Sequence, residues 1–318
     1  MRRTRSAGVC AGYLIDLLAG DPRRGHPVAA FGRSASAFER LTYRDNRIAG
    51  LAHIGVLLTI VGACAVMTDR TARRAGPIPS AGVLAATTWF SLGGNSLART
   101  GREMAALLSA GEIDRARELL PSLCGRDPAN LDADGLARAA LESIAENTSD
   151  AQVAPLFWAA IGSVPGIAVY RCVNTLDAMI GYRSPRYSRF GWAAARFDDM
   201  ANYVAARITG VLVAVCAPAV GGSPVGTLQA WRADASRHPS PNAGVVESAF
   251  AGALGIQLGG PTPYRHGVQI RPVLGSGRTP TVDDLRRAVS LSLAVQAAAA
   301  ALAVAFSAVA ASVPRTET

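Results

Sequence analysis

Residues 48–67 read IAGLAHIGVLLTIVGACAVM. This run matches the ~20 apolar residues that a helix needs to cross a bilayer. Its one notable polar interruption, His53, reads as a helix-packing residue. Four further apolar segments occupy 78–92, 153–170, 204–220 and 288–313. The second is short and carries Trp89 near one end, and the third contains Pro155 and Pro165, which predict a kinked or re-entrant path. The fourth has Arg207 near its start and Pro218 near its end, and the last is alanine-rich with Gln296 as its most polar interior position. A soluble helical protein with a large buried core is the competing reading. Two runs as long as 48–67 and 288–313 in 318 residues argue against it. The expected fold class is therefore all-α, a polytopic membrane helical bundle in a single integral membrane domain over 1–318.

Composition agrees. Half of the residues are apolar, mean hydropathy is +0.22 and only 17% are charged, against about 25% in ordinary soluble domains. The net charge is +9, and all 32 basic residues are arginine. Without lysine there is no Walker-type phosphate loop, no Schiff base and no lysine general base. Arginine forks, backbone N–H groups or a metal must recognise any phosphate. The arginines flank apolar runs, as Arg40, Arg44 and Arg47 do, and then Arg70, Arg73 and Arg74. That placement suits membrane lipid and makes nucleic acid an unexpected partner, although arginines on both flanks of 48–67 give no orientation. The five cysteines are scattered without a CxxC pair and read as buried, inert thiols. The first apolar stretch, interrupted by Asp16, reads as a retained first helix or half-helix.

Two polar regions lie between these segments. Region 93–150 predicts helices over 99–110, 113–120 and 134–150, broken at Pro121 and Pro128. Region 222–287 is rich in Gly and Pro, with turn signals at Ser223-Pro224 and His238-Pro239-Ser240-Pro241-Asn242. Too little period-two alternation occurs to predict a sheet.

Acidic and amide residues gather beside the apolar segments. Glu142, Glu146 and Asp150 are spaced i, i+4, i+8, which on a helix places three carboxylates on one stripe. Such a stripe is costly near lipid and suits Mg²⁺ binding or acid–base work. Arg171, Asn174 and Asp177 share a second helical face, while Asp198 and Asn202, with Asp199 beside them, form a third group just before the apolar run at Val204. Local ion pairs, Arg171 with Asp177 or Arg196 with Asp199, are the plainer account of the last two. In the fourth motif Asn242 is placed to cap a helix starting near Val245. The turn Asp16 to Pro27, rich in arginine, reads by itself as a surface loop. No Ser-His-Asp order, HExxH or dinucleotide fingerprint occurs.

Taken together, GYLIDLLAGDPRRGHPV (12–28), ESIAENTSDAQVAPLFWAAIG (142–162), YRCVNTLDAMIGYR (170–183), RFGWAAARFDDMANY (189–203) and HPSPNAGVVESAFAGALGIQLGG (238–260) resemble the CobD/CbiB family, the adenosylcobinamide-phosphate synthases of cobalamin biosynthesis. Ser149 stands where that pattern has an apolar residue, and 93–135 matches only loosely. The resemblance implies a multi-pass protein of the bacterial cytoplasmic membrane. It implies an acid–amine ligase that joins adenosylcobyric acid to (R)-1-amino-2-propanol or its O-phosphate, with ATP and Mg²⁺ expected and the corrinoid as substrate. Other corrinoid-assembly enzymes are further expected partners. The carboxylate must be activated before an amine displaces it, and the amine needs a general base. On this reading Glu142, Glu146, Asp150, Asp177, Asp198 and Asp199 are the catalytic acids, with Glu146 and Asp150 binding metal. Arg171, Arg183 and Arg196 hold phosphates. Asn147, Asn174, Asn202, His238 and Asn242 bind corrin amides or the amino-alcohol phosphate. All of these groups are expected around one pocket. A membrane prenyl-type transferase using Mg-diphosphate, and a non-catalytic corrinoid scaffold or transporter, are the competing functions.

Overall fold

The computed structural model describes residues 2–22, 25–182, 184–264 and 267–309. Thirteen α-helices and one β-hairpin are formed among them. Four helical stretches are long and apolar enough to cross a membrane: Arg47–Ala75, Ala133–Gly181, Trp192–Val220 and Val282–Val309. They contain three of the five expected segments and the described part, 288–309, of a fourth. The remaining one, 78–92, forms a helix of 15 residues, too short to join that set.

The chain divides into two compact units. The first takes the described parts of 1–93, 154–202 and 299–318, the second those of 94–153 and 203–298. The first unit contains α1 (Arg2–Ala19), α2 (Pro27–Thr42), α3 (Arg47–Ala75), α4 (Pro77–Ser91), α8 (Ala154–Leu176) and the short α9 (Tyr187–Phe190). Asn46 caps α3 by accepting from the Ala49 N–H. His26 caps α2 by accepting from the Val28 N–H, with Pro27 already set for the first turn. Ile54, Leu57, Leu176 and Phe190 are buried together in this unit's core. His53 belongs there too, buried, stacked on Phe38 and bonded through Nδ1 to the Thr42 hydroxyl at 2.8 Å. The packing role expected for it holds. Helix α8 breaks at Ser163, with φ 54° and ψ −149°, two residues before Pro165. The kink expected from the prolines is therefore present.

The second unit contains α5 (Gly94–Ser109), α6 (Ile113–Leu119), α7 (Ala133–Thr148), α11 (Pro224–Asp234) and α12 (Ala243–Leu254). Helices α10 (Trp192–Cys216) and α13 (Val282–Val309) contribute residues to both units. The sequence predicts no sheet, yet β1 (Leu258–Tyr264) pairs antiparallel with β2 (Gly267–Leu274). Gly259, Gly260, Pro261 and Pro263 interrupt any alternation in β1, so its pattern does not read as a strand. A bulge between Leu258 and Gly260 interrupts the register, and Gly259 adopts φ +84° there.

Helix α12 is buried along nearly its whole length. Glycines bring it close to α11: a Cβ on Gly252 would lie 2.2 Å from the Gly226 carbonyl oxygen. Gly252→Ala therefore overpacks this crossing and is expected to cost about 1–3 kcal/mol. A lowered midpoint of thermal unfolding in detergent would report it, and an unchanged midpoint would show that the crossing yields freely.

Candidate active site

The acids expected around one pocket divide between the two units, and each group is built separately. In the second unit the centre is Glu142, in the middle of α7 and almost wholly buried. Three groups satisfy its carboxylate. The Gly259 N–H donates to Oε1 at 2.7 Å, Arg271 Nη1 donates to Oε2 at 3.2 Å, and Arg126 Nη2 donates to the same Oε2. The bulge in β1 is what turns the Gly259 N–H toward α7. Arg126 comes from the loop between α6 and α7, which the Ser143 hydroxyl ties to α7 through the Leu123 carbonyl at 2.6 Å.

Arg271, on β2, serves two carboxylates. Its Nη2 donates to Glu247 Oε1 at 2.9 Å and also to His238 Nε2. On the other side of the ring, His238 Nδ1 accepts from the Ser240 N–H at 3.0 Å and lies 3.1 Å from the Ser240 carbonyl. Burial, and then the charge of Arg271, lower the His238 pKa to about 4. Burial raises Glu247 to about 8, with Glu142 and Glu146 adding and Arg271 opposing. Burial alone would lower Arg271, but Glu247 and Glu142 outweigh it and hold the guanidinium firmly charged. Three carboxyl groups, those of Glu142, Glu146 and Glu247, thus face two guanidiniums, those of Arg126 and Arg271.

Glu146 differs from Glu142 one turn away: it is exposed, within the field of Arg271, Arg126 and Glu142. Asp150 lies in a π-helical turn, Ser149–Val153. The i to i+5 spacing of that turn departs from the 3.6-residue period, so the stripe of three carboxylates expected from a regular helix is broken before Asp150. Asn147 donates back to its own helix, to the Ser143 carbonyl at 2.9 Å. Asn242 does not cap α12 through its side chain. Its Oδ1 accepts from Arg207 at 2.7 Å instead, and the Ser240 hydroxyl accepts from the Ala243 N–H at the helix start.

In the first unit a chain of amides links α8 to the first part of α10. Arg171 Nη1 donates to Asn174 Oδ1 at 3.0 Å, and Asn174 Nδ2 to Asp198 Oδ1 at 3.3 Å. Asn202 Nδ2 donates to Asp198 Oδ2 at 2.9 Å and accepts from the Tyr170 hydroxyl at 2.9 Å. Asp177 opens a second π-helical turn, Asp177–Gly181, and its Oδ1 lies over Gly181. Exposed Arg196 pairs with Asp199 at 3.5 Å, the plainer of the two expected accounts. Arg183 lies outside the described residues.

Among the described residues no group of three or more His, Cys, Asp and Glu side chains is arranged to hold a metal ion. Both Glu142 oxygens are engaged by guanidinium and amide donors, so Glu142 does not fit as a ligand.

The profile of the CobD/Cbib protein family matches residues 9–292. The chain belongs to the CobD/Cbib family. It is 62% identical over 302 residues to the cobalamin biosynthesis protein CobD of Mycobacterium tuberculosis, covering 95% of this chain and 96% of that one. It is 41% identical to the protein of the same name from Chromobacterium violaceum, over 87% and 89% of the two chains. It is 39% identical to that from Geobacter metallireducens, over 86% and 87%. No solved structure matches. In this family member, sequence reasoning missed Arg126, Arg271 and the site role of Glu247. Arg126 and Arg271 stand singly in non-helical segments, where no helical period marks them. A faint signal exists around Arg271: Val268, Ile270 and Leu274 alternate with Gln269 and Arg271.

Arg271→Gln leaves two buried carboxyls short of their shared cation and is expected to cost about 3–5 kcal/mol, measured as a fall in unfolding midpoint. His238 adds a pH signature. The unfolded imidazole takes up a proton near pH 6.5 and the native one only near 4, so between these values the unfolded chain binds more protons and stability rises with pH. Melting curves of His238→Gln are expected to rise less steeply than those of the parent across that window.

Proposed function

We propose that this protein acts in cobalamin biosynthesis, in the cytoplasmic membrane of a bacterium, as an acid–amine ligase. It joins adenosylcobyric acid to (R)-1-amino-2-propanol or its O-phosphate through an amide at a corrin propionate. The observation that carries the reading is the pairing of Glu146 with the ion cluster behind it. An exposed carboxylate stands one turn from a buried network of two arginines, within an extensive match to relatives named for this pathway.

When bound, ATP would supply activation of the corrin carboxylate and Mg²⁺ would neutralise phosphate charge. Glu146 and Asp150 would hold that ion. Arg126 and Arg271 are committed to Glu142 and Glu247, so they act by fixing α7 and by setting the field at Glu146. In the first unit, half-buried Asn174 beside Asp198 offers an amide suited to the carboxamide side chains of a corrin, while Asn202, buried and bonded to both Asp198 and Tyr170, serves to orient Asp198. Asp177 and Asp199 are the candidates for taking the proton that the amine loses as the amide forms.

Purified protein supplied with adenosylcobyric acid, ATP, Mg²⁺ and each amine in turn is expected to yield the corresponding cobinamide by mass spectrometry. Glu146→Gln is expected to lower turnover by about 100-fold or more. Normal turnover in all of Glu146→Gln, Asp150→Asn, Asp177→Asn and Asp199→Asn would reject these assignments.

A further inference from the structure

The turn between α1 and α2 is more than a surface loop. The Trp89 indole N–H donates to the Gly20 carbonyl at 2.8 Å, and the Gly20 N–H to the Asp16 carbonyl at 2.9 Å, so the turn is fastened to α4 and α1. His26, at its far end, sits edge-on to Phe90. Asp21 and Arg171 both act electrostatically on His26, which places a carboxylate and a guanidinium about one imidazole.

Three groups in this cluster have capacity to spare. His26 Nδ1 accepts from the Val28 N–H, so the proton of the neutral ring sits on Nε2 as a donor. Arg171 uses Nη1 on Asn174, while its Nε is buried with no hydrogen-bond partner. Asp21 Oδ1 is buried without one as well. Orphaned polar atoms of this kind are uncommon in folded proteins. Here the orphans are complementary: one acceptor carrying negative charge, and donors on a cation and an imidazole. All three residues are half-buried, so part of each side chain is exposed beside these sealed orphan atoms.

We propose that Asp21, His26 and Arg171 form a binding site for a small zwitterion, its ammonium on Asp21 and its oxyanion on Arg171 and His26. The start of α2 adds partial positive charge on the oxyanion side. Resting on the function proposed above, this site holds the phosphorylated amino alcohol. A neutral or singly charged ligand satisfies only half of it.

Equilibrium binding to the purified full chain in detergent tests the site with three probes: 1-amino-2-propanol O-phosphate, 1-amino-2-propanol and inorganic phosphate. The zwitterion is expected to bind most tightly. Asp21→Asn is expected to weaken the zwitterion by about tenfold or more while leaving inorganic phosphate unchanged, and Arg171→Gln to weaken both. His26→Asp keeps a good helix cap, so the fold survives, but sets a carboxylate against the oxyanion and is expected to weaken both anionic probes. Zwitterion affinity unchanged in all three variants, or absent in the parent protein, overturns the site. Turnover measured in parallel separates the two proposals. Parent-like amide synthesis and binding in the variants rejects the site alone. Zwitterion binding that depends on Asp21 and Arg171, in a protein making no amide from any amine, keeps the site and rejects the ligase.

Discussion

One guanidinium carries an unusual share of the second unit. Arg271 reaches from a β-strand to Glu142 on α7, to Glu247 on α12 and to His238 in the loop before α12. Buried charges are tolerated only when paired and hydrogen-bonded, and the two carboxylates share this cation. The hairpin, both helices and the histidine loop are therefore mutually constrained through one residue. The bulge at Gly259 contributes to the same constraint, since it brings a backbone N–H to Glu142 from the other strand of the hairpin.

The helical framework was legible because it rests on long runs of one kind of residue. The 48–67 segment states its length and its apolar character without reference to any other part of the chain, and the prolines of α8 announce its break. The hairpin was not legible. Its first strand, though paired with the adjacent β2 and tied to α7 through Glu142 and Arg138, is built from glycine and proline, residues that ordinarily end strands. Asn242 was misjudged for a related reason: a cap is predicted from local spacing, but Arg207, thirty-five positions away, competes for its carbonyl oxygen.

The candidate site was legible in its acids and not in its cations. Glu142, Glu146 and Asp150 announce themselves by spacing, yet spacing could not tell which would be sealed and which would face solvent. That distinction follows from Arg126 and Arg271, both outside any helix. Nor could a regular period foresee the two π-helical turns, which fall at Asp150 and at Asp177. Such turns recur where a helix must re-aim a side chain, and both coincide here with acids singled out for chemistry.

The division of labour along α7 has a consequence for how this protein could diversify. On the proposed function, the acid that anchors the architecture and the acid assigned to meet reactants are separate residues, a single turn apart on one helix. Selection or laboratory evolution can therefore reshape the reactive position without reopening the question of whether the chain folds.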